Sequence, residues 1–324
     1  MFALAGTTRC EGNKRMSDKK YRLVTRSDFD GLVCAVLLKH LNMIDDVKFV
    51  HPKDMQDGTI EINDHDITTN LPYVEGVHIA FDHHLSETLR VEKHGNHVID
   101  PEAPSAARVV YRYYGGRQVF PDHFEDMMTA VDQGDSARFS RGEILHPTGW
   151  PLLNFLMDAR TGLGRFREFR VSNYQLMMDL IEYCHDHKIE EILELPDVKE
   201  RVELYFDHEE KFKDQLRRCS AVHGNLLVLD LRNEETIFVG NRFMIYALYP
   251  ECNISVHVLW GVKQQNTVFA VGKSILNRTS NTNIGALCLE YGGGGHENAG
   301  TCQVENDSAS LVLAELIKRI NADG

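Results

Sequence analysis

At 324 residues, 43% hydrophobic and 26% charged, the chain has an ordinary globular composition and enough length for two cores. A formal net charge of −13 excludes a protein that coats duplex DNA, which needs a dominant basic surface, but leaves room for a small anionic substrate held over bound cations. No stretch reaches the roughly 18 uncharged apolar residues of a membrane span, and seven cysteines without a CxxC pair fit reduced thiols in the cytoplasm.

Residues 1–20 are small, polar and weakly patterned, and lack the apolar core of a secretion signal; a disordered extension is expected there. From residue 21 to about 100, strands predicted at 21–25, 47–50, 59–63, 77–81 and 97–99 alternate with helical stretches, the first an apolar helix over 32–44. Strands separated by helices imply right-handed crossovers and a largely parallel sheet. Helices follow over 105–115 and 121–132, started by Pro104-Ser105 and Pro121-Asp122. Residues 150–219 are helix-rich and carry no recognisable chemistry. They read as solvated, ending in a charged connector helix over 196–220, with homodimerisation through them as the alternative. Beyond residue 220 the pattern turns to strands at 226–231, 236–239, 254–260, 267–271 and 301–304 and a closing amphipathic helix, 311–320. The expectation is an α/β protein: a parallel-sheet domain followed by a smaller mixed α/β domain over 221–324, across a cleft.

The chemistry sits at predicted strand ends. Asp28 and Asp30 follow the first strand, where a turn aims both at a metal pair and Gly31 permits a tight start to the next helix; an Asp helix cap is the plainer reading. Asp64 follows the strand placed at 59–63, with an Asx turn as the plainer reading. Asp82-His83-His84 closes a β-branched run, so a buried strand delivers them to its carboxyl end, where open α/β sheets bind ligands. Asp132, at a helix carboxyl end, opposes the macrodipole and needs a positive charge beside it. Clustered carboxylates do not stay ionised together without cations. A pair of divalent ions answers that need, and carboxylate with imidazole suits Mn²⁺. Downstream, four glycines at 292–295 let backbone N–H groups approach an anion and His296 adds a donor, while Lys273 and Arg278 reach a phosphate or are simply solvated.

These residues resemble the DHH phosphoesterases, in the subfamily with the DHH-associated C-terminal domain. Asp28-x-Asp30-Gly31, Asn63-Asp64, Asp82-His83-His84 and Asp132 match the four N-terminal motifs in order, and Gly293-Gly294-Gly295-His296 with Ala299-Gly300 matches the C-terminal signature. The likeness covers about residues 21–135 and 221–306. It implies a catalytic domain over 21–195 binding two Mn²⁺ ions, the first on Asp28 and Asp64, the second on Asp30, Asp64, His83 and Asp132. It further implies that Asp82 orients a histidine, that His84 donates a proton to the leaving oxygen, and that Gly293, Gly294, Gly295 and His296, with Arg278 assisting, hold a terminal phosphate. One departure stands out: relatives carry a histidine ligand shortly before the first Asp, and here Val24 and Arg26 occupy those spacings. Either the first ion has fewer ligands, or His65 substitutes, or Arg26 grips phosphate where an ion would sit. The implied activity is metal-dependent hydrolysis of phosphoesters in small nucleotides (short oligonucleotides, dinucleotides or 3′-phosphonucleotides). An exopolyphosphatase or pyrophosphatase is the alternative, and a non-catalytic nucleotide sensor a further one. On this reading, replacing Asp64 abolishes turnover.

Overall fold

Residues 29 to 38 are buried without exception. A helical stretch with no solvent face has to be covered on every side, and the layering of the first half follows from that. The computed structural model describes residues 19–324, so the expected N-terminal extension falls, but for its last two residues, outside the described residues. The helix Phe29–His40 lies against a five-stranded sheet of β1 (Tyr21–Arg26), β2 (Ile44–Val50), β3 (Asp66–Thr69), β4 (Ile79–Asp82) and β5 (His97–Ile99), ordered β2-β1-β3-β4-β5 with every neighbouring pair parallel. The helices Ala106–Tyr113, Phe124–Asp135 and Asn173–Asp186 cover its other sides. In this order the chain's direction of travel across the sheet reverses between β1 and β3. The carboxyl ends of those two strands therefore flank an open crevice.

Residues 150–219 are not a solvated connector. Leu152, Leu153, Phe155, Leu176, Leu180 and Ile181 are 3% exposed or less and join the same core as the helix Phe29–His40. The long helix Pro196–Cys219 buries Val198, Arg201, Tyr205 and Leu216. Among the described residues no helix is long and apolar enough to cross a membrane.

The second sheet holds β6 (Ser220–His223), β7 (Leu226–Asp230), β8 (Ile254–Trp260), β9 (Thr267–Lys273), β10 (Gly294–His296) and β11 (Ala299–Val304), ordered β10-β11-β9-β8-β7-β6. Only β7 and β8 run parallel. Side chains alternate across a strand, and here both faces are used. Leu226, Val228, Ile254, Val256 and Val258 pack under the helices Ile284–Glu290 and Ala309–Asp323, while Leu227, Leu229 and Leu231 join the core of the first half.

Two predicted strands are absent. Residues 236–239 form none, and the strand placed at 59–63 lies further on, as β3. Ile60 and Ile62 only edge a small cluster around Val24 and Met55, whereas all four residues of β3 are buried. The polar opening of β3 hid it: Asp66 is neutralised there by Arg22, Nε to Oδ1 2.7 Å.

Candidate active site

At the crevice, Asp28 caps the helix Phe29–His40, accepting from Gly31 N at 3.0 Å and from Asn70 Nδ2, across the reversal point, at 3.3 Å. A Cβ on Gly31 would overlap the carbonyl oxygen of Arg26, so the close approach of strand end to helix start requires glycine. Arg26 Nε lies 2.8 Å from Asp28 Oδ2. Burial pushes the Asp28 carboxyl up, and Arg26 opposes it. Two residues on, both oxygens of Asp30 accept backbone N–H bonds from the start of the helix Ala106–Tyr113, from Ala106 at 2.9 Å and Ala107 at 2.8 Å. Even so, burial and then the neighbouring Asp135 push Asp30 up to about 7.

Asp30, His83 and Asp135 form one cluster, with ligand atoms all within 4.8 Å of one another. His83 Nδ1 faces the carbonyl of Ala103 at 3.2 Å, which turns Nε2 inward. That Nε2 lies 2.9 Å from Asp135 Oδ2 yet is buried without an aligned hydrogen-bond partner. Burial works against charge on His83, but contact with Asp135 outweighs it and raises the imidazole to about 9. Burial likewise pushes Asp135 up, and His83 beside it wins, holding the carboxyl below its ordinary value. Two carboxylates and an imidazole nitrogen, which gives up its proton when a cation takes its place, are the donor set a divalent cation takes, and the contact with Ala103 orients the ring. The residues fit a metal ion.

Asp82 stands behind this cluster. Its Oδ1 accepts from His83 N at 2.8 Å and sits 2.7 Å from His84 Nδ1, orienting that ring. Burial lowers the His84 pKa and Asp82 more than restores it, so the net shift is upward. The His84 ring faces that of His296 in the glycine loop, centroids 6.4 Å apart, across the two halves.

Two expected ligands lie elsewhere. Asp64 is exposed and precedes β3, at the amino edge of the sheet. The register Arg22↔Asp66 and Thr25↔Thr69 puts the whole four-residue strand β3 between it and Asp28, a span of roughly 13 Å at ~3.3 Å per residue. His65, near the Tyr21 ring at 6.0 Å, is stranded there too and cannot stand in at the first site. What β3 delivers to the crevice is Asn70, buried, at φ +54 and uncharged. Asp132 is likewise not in the cluster. It accepts from Ser105 Oγ at 2.8 Å and from Arg108 Nε at 2.8 Å, so the positive charge its helix end requires is a guanidinium. This pairing steadies the very helix start that grips Asp30. Asp135, one turn further along, is the residue that sequence reasoning passed over; it stood in the same Asp132-Gln133-Gly134-Asp135 run.

A cleft of about 970 Å³ runs from Asp135 to the glycine loop. Gly294, Gly295 and His296 form a hairpin with Ala299, Gly300 and Thr301, so close that a Cβ on Gly293 would overlap the Thr301 carbonyl oxygen. Arg278, on the same side, donates from Nη2 to the Ala137 carbonyl of the first half at 2.9 Å. Cations from the helical segment line the cleft as well: Arg160 and Arg165. A smaller recess containing Asp28, Asp30 and Asp135 is bordered by Arg26, Arg160 and Arg242.

PggH, a pGpG-specific phosphodiesterase from Vibrio cholerae, is 62% identical, with the match covering 94% of this chain and 100% of that protein at a TM-score of 0.84. Two structures of RecJ from Thermus thermophilus, one with Mn²⁺ and one with Mg²⁺, are 14% and 15% identical. They cover 93% of this chain and about half of RecJ, 52% and 50%, with TM-scores of 0.56 and 0.51; that likeness is one of fold. No protein-family model and no curated protein matches the chain. The motif order, the reversal-point cluster and the 62% identity over nearly the whole length place the chain in the DHH family of phosphoesterases.

Proposed function

We propose that this protein is a phosphodiesterase that hydrolyses linear dinucleotides carrying a 5′-phosphate, of the pGpG kind, in the cytoplasm, with a single Mn²⁺ held by Asp30, His83 and Asp135. The observation that carries it is this cluster opening into a cleft of about 970 Å³ with cations at both ends, in a chain 62% identical to a pGpG-specific phosphodiesterase. When bound, the ion supplies Lewis acidity and a water of lowered pKa.

A single ion, rather than the pair first expected, is supported by the chemistry of the neighbouring position. Asp28 is already paired with Arg26 there, and β3 supplies an uncharged Asn70. Arg26 takes the electrostatic part of a second cation, neutralising charge on phosphate oxygens. His84, its Nδ1 held by Asp82 and its ring facing that of His296, donates the proton that the leaving oxygen needs. The glycine hairpin and His296, whose ring faces that of His84, hold the substrate from the side of the second sheet. The catalytic unit is residues 21–195 and the substrate-binding unit 221–324, with the helix between them forming one wall of the cleft through Phe212 and Leu216. Phe212, Phe238 and Leu259 add apolar surface that suits a base and has no use for a bare polyphosphate.

The test is a hydrolysis panel with Mn²⁺ and, separately, Mg²⁺, offering pGpG, pApA, a 5′-phosphorylated trinucleotide, pyrophosphate and polyphosphate. Turnover confined to the dinucleotides, lost in Asp135→Asn, is expected. Faster turnover of polyphosphate, or nucleotide binding without hydrolysis under any metal, overturns the reading.

A further inference from the structure

The five cations lining the cleft are not equivalent. Arg160 and Arg242 share Asp158, Nε to carboxylate oxygen 2.7 and 3.1 Å. Arg278 donates to the carbonyls of Ala137 and Ile275, and Lys273 lies 3.4 Å from Glu297. The Arg165 side chain, among the described residues, has no hydrogen bond or ion pair. The side chain is exposed to the cleft, and the partial burial of its guanidinium pushes its pKa down with no carboxylate opposing the shift. Resting on the dinucleotide reading above, we propose that Arg165 reads a guanine base, its planar guanidinium donating to O6 and N7.

The position of Arg165 is built in. Gly162 adopts φ +93, and a Cβ there would overlap Arg165 Nη1, so the guanidinium lies against a backbone that only glycine leaves open. The Thr161 carbonyl accepts from Gly240 N at 3.1 Å. Phe166 packs on His208 with centroids 5.1 Å apart, and His208 in turn accepts from Val239 N at 3.1 Å. The loop is thereby pinned to the wall made by Phe212, Phe238 and Gly240 at the β7 end of the cleft. The glycine hairpin lies three strands across the sheet, roughly 14 Å at ~4.8 Å per step.

An anion binds best where donors converge, and here the exposed, unpaired fork of Arg165 lines the same cleft as the half-buried rings of Phe212 and Phe238. That pairing suits a flat ring with two acceptors on one edge. Guanine presents them as O6 and N7, whereas adenine puts an amino donor beside its N7 and would oppose the guanidinium.

The test compares pGpG, pApA and unphosphorylated GpG on wild type, Arg165→Lys, Arg165→Ala and Gly162→Ala, with metal-free binding by calorimetry alongside turnover. Arg165→Lys keeps the charge and loses the fork. It is expected to lower kcat/KM for pGpG by about tenfold to a hundredfold, mostly through KM, while pApA is unchanged; Gly162→Ala does the same. An unchanged pGpG to pApA ratio in both Arg165 variants overturns the proposal. So does a loss in Arg165→Ala that brings pGpG down to GpG and is rescued by lysine, which would make Arg165 a phosphate holder. A wild type that binds neither dinucleotide overturns the dinucleotide reading itself, and base-selective binding without turnover keeps the assignment of Arg165 while removing the catalytic one.

Discussion

Around Asp30 the parallel sheet turns the carboxyl ends of β1, β3 and β4 toward the cleft, whereas the mixed sheet turns a whole face toward it, from Leu229 on β7 to Thr301 on β11. The edge gathers charge: Asp28, Asp30, His83 and Asp135 converge there because strand ends and helix starts supply polar backbone groups to hold them. The face spreads contact over small and apolar side chains and a glycine hairpin, with arginines at its margins. The edge is therefore dense in coupled titrating groups, each displacing its neighbour's pKa, and the face is built of groups that act separately. Substitutions at the edge should be all or none, and those on the face graded.

The edge gives the largest expected effects. Removing a metal ligand, by His83→Ala or Asp135→Asn, forfeits several kcal/mol of transition-state stabilisation. Turnover should fall by on the order of 10³-fold, with bound Mn²⁺ lost by elemental analysis and far-ultraviolet circular dichroism unchanged. Chelation of wild type should give the same inactive, folded state. If either ligand variant keeps both its metal and its rate, the edge is not where the chemistry happens.

Next in size is Asp82→Asn, which leaves the shape and removes the charge that orients His84. Loss of such a supporting partner costs about 10–100-fold. The loss should fall on kcat rather than KM, and the alkaline limb of the pH–rate profile should move down, because the raised His84 pKa depends on Asp82.

The face offers a smaller test. Burial holds His257 on β8 down to about 4, against an ordinary 6.5. Between those values the unfolded chain binds a proton that the folded chain refuses, so the stabilisation is complete above pH 6.5 and is lost as the pH falls towards 4. His257→Gln should flatten the decline in denaturation midpoint across that window. An unaltered slope would show that His257 is not held neutral.

Smallest of all is Asp64→Ala. Exposed at the far edge of the sheet, it should change stability by no more than about 0.5 kcal/mol and leave turnover at the wild-type level, contrary to what motif matching alone implies. A dead Asp64→Ala enzyme would mean that β3 pairs in a different register.

Much of the site was legible without a structure. The run ending in Asp82-His83-His84 announces a buried strand delivering side chains at its carboxyl end, and Asp28, Asp30 and Gly31 announce a capped helix start after another. These depend on local pattern, which the sequence carries directly. What failed were the two positions whose meaning depends on register. Asn63-Asp64 fits the motif by letter, but the alternating stretch at 59–63 loses the central slot to Asp66–Thr69. The opening Asp66 of that strand is buried with Arg22 and the Asn63 N–H beside it, and the guanidinium comes from a distant strand that no local window reveals. Asp132 and Asp135 lie about one turn apart on one helix, and only the packing of that helix against Ser105 and Arg108 decides which faces His83.

The sequence by itself determined the family, the alternation of strands and helices, and the residues that local turns and strand ends place at the crevice, because period and capping act over a few residues. The tertiary structure alone decided three things: that Asn70 rather than Asp64 stands across from Asp28, that Asp135 rather than Asp132 joins Asp30 and His83, and that the helical segment after residue 150 brings Arg160 and Arg165 to the cleft. Each of these turns on contacts between residues far apart in the chain, where burial, charge pairing and strand register are settled together.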